Sequence, residues 1–235
     1  EGYRAVVAEI APMRAQLEDS IASMEMLQSS LSDNDDKEAA SQVVTAARSR
    51  LNMLDAGVNI IEESLMATEA FLKARSGWNA VINADAAIRE ATALAEEMSK
   101  ENILSSQTKG NEALAFLEEA QQDFSQAEAA YPGLDLAAFE AYVVKRMESQ
   151  QAALAADDAY LSRNKEELEA QNSRYNALEE EAAALAQELG EDDPEQIVAL
   201  RFYKEIEADQ GAYEDERLKA GNADAFLREY LGTAS

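Results

Sequence analysis

The stretch from Leu134 to Leu189 constrains this chain most: fifty-six residues with no glycine and no proline, built mostly of Ala, Glu, Leu and Gln. An apolar or aromatic residue returns every seven positions along it, at Met147, Leu154, Leu161, Leu168, Tyr175, Ala182 and Leu189. That period belongs to helices packed on helices. The companion series Val143, Gln150, Asp157, Asn164, Gln171, Leu178 and Leu185 is apolar at its ends and polar in its middle. Read as one helix the stretch reaches roughly 84 Å, gripped at both ends and wetter at its centre.

Composition supports an all-α fold. About a fifth of the chain is alanine and 6% is aromatic, while three prolines and nine glycines are few for 235 residues. Alanine favours helix but buries little surface, so thin, close-packed helical layers are expected. We expect about six or seven helices in elongated bundles with coiled-coil-like long helices. The expected division is an N-terminal bundle over 1–133 and a second part over 134–235, sharing the long helix.

Net charge is −27, with 17 acidic and 9 basic side chains in residues 1–100 and 30 against 11 in 101–235. Such a surface repels phosphate, and no basic stripe with interleaved aromatics offsets it, so nucleic acid is not an expected partner. Cysteine and histidine are absent. This removes Cys-His and Ser-His-Asp catalysis, His-ligated zinc, haem and the usual carboxylate–histidine di-iron bundle. No apolar run approaches the ~20 residues that span a bilayer. The first residue is Glu rather than Met. We therefore expect a trimmed or mature form, with a leader or membrane or wall anchor upstream compatible with what is seen. Export to the cell envelope is the expected location, with the cytoplasm as the alternative.

Along the chain, a first amphipathic helix is expected over 3–31, carrying Val6 or Val7, Ile10, Leu17, Ile21, Met24, Leu27 and Leu31, with Pro12 inside it. Asp35 and Glu38 have the form of a capping box after the turn at 32–36. The second helix repeats Val44, Leu51, Val58, Leu65 and Leu72. Its register slips at Ser76-Gly77-Trp78, where a kink or break is expected. A third helix follows to about Ser106, then a loop at 108–111 with Asn111 as N-cap, and a fourth helix over 111–130 ended by Tyr131-Pro132-Gly133. Asp135 can cap the long helix, Gly190 stops it, and Asp193-Pro194 opens the next one to about Lys219. Gly221-Asn222 is expected to start a short last helix.

A faint repeat aligns Ser76-Gly77-Trp78-Asn79-Ala80-Val81 with Ser173-Arg174-Tyr175-Asn176-Ala177-Leu178, an offset of 97 residues, and Tyr3-Arg4-Ala5-Val6 is similar to both. The residues Trp78, Asn79, Ala80, Ala84, Leu114, Leu117 and Ala120 resemble the FIVAR repeats (Found In Various Architectures) of Gram-positive surface proteins. The long helices also look like bacterial spectrin-like repeats. Either resemblance covers at most half the chain. The segment opened by Asp193-Pro194 departs from the FIVAR pattern. The resemblance implies an extracellular, wall-associated spacer or adhesive module with no catalytic residues to carry over.

Two acidic clusters have some of the character of cation sites. Asp33-Asn34-Asp35-Asp36-Lys37-Glu38 lacks the glycine that a calcium loop needs at its sixth position, and its twelfth is Val44; a capping turn is the better reading. Glu191-Asp192-Asp193 is likewise a turn before a helix N-terminus. Runs such as Glu179-Glu180-Glu181 point to several faces of a helix and form no acid–base pair. No metal or cofactor is expected, and no enzyme. The expectation is a structural or protein-interaction module, with a protein partner or self-association. The alternative is a ligand-binding or sensor ectodomain with a polar groove around 157–171, for which the candidate residues are Asp157, Tyr160, Asn164, Gln171 and Tyr175.

Overall fold

The computed structural model describes the backbone of residues 2–190 and 193–232, and their side chains outside 2–4, 6 and 7. The side chains proposed at Val6, Val7 and the Tyr3-Arg4-Ala5-Val6 motif, and the carboxylates of Glu191 and Asp192, therefore lie outside the described residues. The fold is all-α, with six helices among the described residues: α1 (Gly2–Ser30), α2 (Asn34–Glu96), α3 (Lys100–Ala130), α4 (Ala137–Leu161), α5 (Lys165–Leu189) and α6 (Pro194–Tyr230). The chain divides into two compact units, one of residues 1–65 with 202–235 and one of 66–201. The division falls inside α2 and α6 rather than at 133/134.

In the first unit, three helical stretches are tied by side chains in antiparallel order. Arg14 of α1 pairs with Asp55 of α2 at 3.2 Å, and Arg48 pairs with Glu25. Arg50 reaches Asp224 of α6 at 2.6 Å, and Asn59 donates to Asp209 at 3.2 Å. Ile21, Val44, Ala46, Ile206 and Ala220 are buried among them. Leu27, placed on the buried face by its spacing, is instead 49% exposed. The cap of α2 is Asp33, not Asp35: its Oδ1 accepts from the N–H groups of Asp35 and Asp36 at 2.8 and 3.2 Å. That satisfies two of the N–H groups that a helix start leaves without partners.

In the second unit, the later part of α2 with α3, α4 and α5 forms an up-and-down bundle. Lys73 meets Asp123 and Lys109 meets Glu90, both at 3.0 Å, which sets α2 and α3 antiparallel. The core holds Leu117, Phe124, Leu136, Phe139 and Val143, with Trp78 edge-on to Phe139 at 5.6 Å. Burial of each large apolar side chain contributes about 1.5–3 kcal/mol. The start of α6 joins this unit. Pro194 and Val198 are buried, and the Arg201 guanidinium lies 5.1 Å from the centre of the Tyr131 ring.

Three expected breaks are absent, and at two of them the glycine serves close packing instead. α2 runs unbroken through Gly77, where an added Cβ would lie 2.8 Å from the Phe124 ring. α3 runs unbroken through Gly110, where it would lie 2.5 Å from Gln150 Nε2 and 2.8 Å from Leu154. Asn111 is no N-cap; its side chain donates to the Gln107 carbonyl within the helix. Both glycines let neighbouring helices approach closely, a role local sequence does not separate from helix breaking. α6 likewise continues through Gly221, so no separate last helix forms. The real break between α2 and α3 comes at 97–99, where Met98 has φ +49° and the Ser99 side chain accepts from the Asn102 N–H.

The largest correction concerns the fifty-six-residue stretch. It is two helices, α4 and α5, packed along each other. Arg146 of α4 links them, donating to Glu179 of α5 across the hairpin at 2.6 and 2.7 Å.

Candidate functional site

The hairpin turn explains the polar middle of the heptad series. Arg163 sits in the left-handed region at φ +60°. The Asn164 N–H donates back to the Ala159 carbonyl at 2.8 Å, and the Arg163 N–H to the Tyr160 carbonyl at 3.0 Å. This is a Schellman ending made without glycine. Asn164 then begins α5, its side chain accepting from the Glu167 N–H at 3.2 Å. Asn164 is therefore the N-cap of α5.

Folding back sets α5 along α4 and leaves a half-open cavity of about 250 Å³ lined from α2, α3, α4 and α5. Three of the five candidates, Asp157, Tyr160 and Tyr175, line it together. Their neighbours there include Ala91, Thr92, Ala95 and Glu96 of α2, Met98, Ile103 and Ser106, Gln150, Ala153 and Ala156 of α4, and Leu168 and Asn172 of α5. Small alanines on α2 and α4 leave the volume open. Gln171 does not line it; its Nε2 donates to Glu167 at 2.7 Å.

Asp157 is the most unusual member. It is 8% exposed, and its carboxylate accepts from the Ser106 hydroxyl at 2.9 Å. Burial pushes its pKa above the ordinary aspartate value; the Ser106 hydrogen bond works in the opposite direction, and neighbouring Asp158 adds to the rise. No Lys or Arg is among the cavity-lining residues. The Tyr160 hydroxyl donates to the Met98 carbonyl, joining the α4 end to the α2–α3 turn. The Tyr175 hydroxyl is shifted up, mainly by burial and then by Glu179, against a hydrogen bond with Thr92.

Two other recesses flank this one. Lys100, Arg163, Asn164 and Lys165 line a more basic hollow of about 480 Å³, which shares Tyr160 and Leu168 with the cavity. A recess of about 270 Å³ is walled by Asp85, Arg89, Tyr142, Arg146 and Glu179. There Arg146 ties α2, α4 and α5, reaching Asp85 at 2.7 Å besides Glu179, and Ser149 also donates to Glu179. Burial, then Asp85, raises the Tyr142 pKa.

The sequence reading missed Ser106, Thr92, Glu96 and Met98. A serine on a helix with no motif around it gives no local sign of a partner fifty-one residues away. Among the described residues, no group of three or more acidic side chains is placed to hold a metal ion, and no helix is long and apolar enough to cross a membrane. Comparison with known proteins finds no matching family model, no matching curated protein and no matching solved structure.

Proposed function

We propose that this chain is a non-enzymatic helical module that acts by binding, and that the second unit receives a small ligand in the cavity between α2, α3, α4 and α5. The observation that carries this reading is Asp157, a buried carboxylate facing an otherwise largely apolar cavity beside two tyrosines. Ligand sites combine an apolar body with a few placed polar groups. A carboxylate held there at a cost in solvation calls for a reason beyond packing. A setting in a bacterial envelope or surface protein belongs to the same proposal, supported by the FIVAR-like residues around Trp78.

The test is a thermal-shift screen of small molecules against the whole chain. A ligand at a hundredfold excess over its Kd stabilises by about 2.7 kcal/mol, a shift of a few degrees for a chain of this size. A hit lost on filling the cavity with Ala95→Leu supports the reading; hits unaffected by that change count against it.

A second reading, a protein-interaction or self-association module, is supported by the exposed apolar side chains of α1. Met13 and Met26 are 55% and 68% exposed, and Leu27 stands beside Met26. Met26 and Leu27, adjacent and exposed near the end of α1, are apolar groups of the kind a protein partner covers. Sedimentation of the full chain and of Met26→Lys separates self-association from a monomeric state.

A further inference from the structure

We propose that the cavity selects small organic monocations, an ammonium group on a short apolar or aromatic body, with Asp157 as the counter-charge and the Tyr160 and Tyr175 rings beside it. The proposal rests on the binding reading above and names its ligand class.

Charge is the first argument. Asp157 and Glu96 are the ionisable acids of the cavity, and the lining contains no cationic side chain to neutralise either. The Asp157 carboxylate has a hydroxyl donor, Ser106 at 2.9 Å, but a hydroxyl supplies a hydrogen bond and no charge. A ligand ammonium would return to the buried carboxylate the stabilisation that loss of water removes, as a charge-assisted hydrogen bond. An anionic ligand would set a like charge against the buried Asp157 carboxylate.

Shape and surface give the second. The volume of about 250 Å³ suits a molecule of one ring or a short chain. Aromatic faces attract cations, and two tyrosines share the lining with the carboxylate. Leu168 and the alanines offer the rest of the ligand an apolar surface. The cations Lys100, Arg163 and Lys165 line the adjoining recess rather than this one.

The experiment is isothermal titration calorimetry of the full chain at neutral pH with three probes of similar size: 2-phenylethylamine, 2-phenylethanol and 3-phenylpropanoate. The expected result is binding of the amine at least tenfold tighter than the alcohol, with the carboxylate weakest. Asp157→Asn should erase the amine's advantage. Ala95→Leu, which keeps the carboxylate and occupies the cavity, should abolish amine binding even if the Asn variant does not fold. Equal affinity for amine and alcohol, both lost in Ala95→Leu, would overturn the monocation assignment and leave the cavity as a ligand site. Amine binding untouched by Ala95→Leu would place it elsewhere and overturn the assignment too. No heat from any probe would remove both this assignment and the binding reading for ligands of this size.

Discussion

The Ser106 hydroxyl donates to the Asp157 carboxylate at 2.9 Å, joining α3 to α4 inside the bundle. The pair places an acid where solvent scarcely reaches, and burial raises its pKa. The folded state therefore holds the Asp157 proton to higher pH than the unfolded chain does. Stability from this group is fully present below the unfolded aspartate pKa and is lost as pH rises through the raised folded value.

Asp157→Asn should consequently gain on the parent protein as pH rises from about 4 towards 7, starting near the ordinary aspartate pKa. Urea denaturation of both proteins at several pH values measures this, because all other carboxylates are common to both. A stability difference independent of pH would contradict a raised Asp157 pKa.

Gly77→Ala should destabilise by about 1–3 kcal/mol, since the new methyl would overpack against a fully buried ring. Its Cβ would lie 2.8 Å from Phe124 and 3.2 Å from the Ala120 carbonyl oxygen. Gly211→Ala, also within a helix but with nothing within 4 Å, should stabilise by about 0.5–1 kcal/mol. Opposite signs in thermal or urea unfolding are the expected outcome; the same sign would show that the two glycines are not distinguished by packing.

Much of the fold was legible because helix formers, alanine spacing and end signals agree locally. Pro12 inside α1, the Tyr131-Pro132-Gly133 stop, Gly190 after α5 and Pro194 at the start of α6 all stand where the sequence places them. The hairpin between α4 and α5 was not legible, for two physical reasons. The turn uses Arg163 at positive φ, so no glycine marks it. The seven-residue spacing from Leu161 to Leu168 also crosses the turn intact, and a periodic pattern carries no information about a change of direction. Polar residues at 157–171 were the visible trace of that turn. The same polarity led to Asp157, Tyr160 and Tyr175, whereas Ser106 on α3 became visible only through tertiary packing.

Arg163→Gly should stabilise the protein by about 1 kcal/mol. A left-handed backbone costs an L-residue roughly 1–2 kcal/mol, part of which the greater freedom of glycine in the unfolded chain takes back. Both backbone hydrogen bonds of the turn, to the Ala159 and Tyr160 carbonyls, need no Arg163 side chain and should persist. Urea denaturation checks this, and a loss of stability would mean that the guanidinium contributes more than its backbone geometry costs.

The ion cluster at Arg146 should show energetic coupling that surface pairs lack. Arg146 has an 11% exposed side chain, against 31% for Glu179 and 36% for Asp85. Removing one member of a well-buried pair costs about 3–5 kcal/mol; with both carboxylates about a third exposed, solvent screening should lower that to about 2 kcal/mol for Arg146→Met. Glu179→Gln should then cost less in the Arg146→Met background than in the parent, with a coupling of about 0.5–3 kcal/mol. The neighbouring pair of Lys145 and Glu181 spans the same two helices at 2.9 Å, but Glu181 is 58% exposed. Its own double-mutant cycle should give under about 1 kcal/mol. Equal coupling in the two cycles would mean that burial does not set the strength of the Arg146 link.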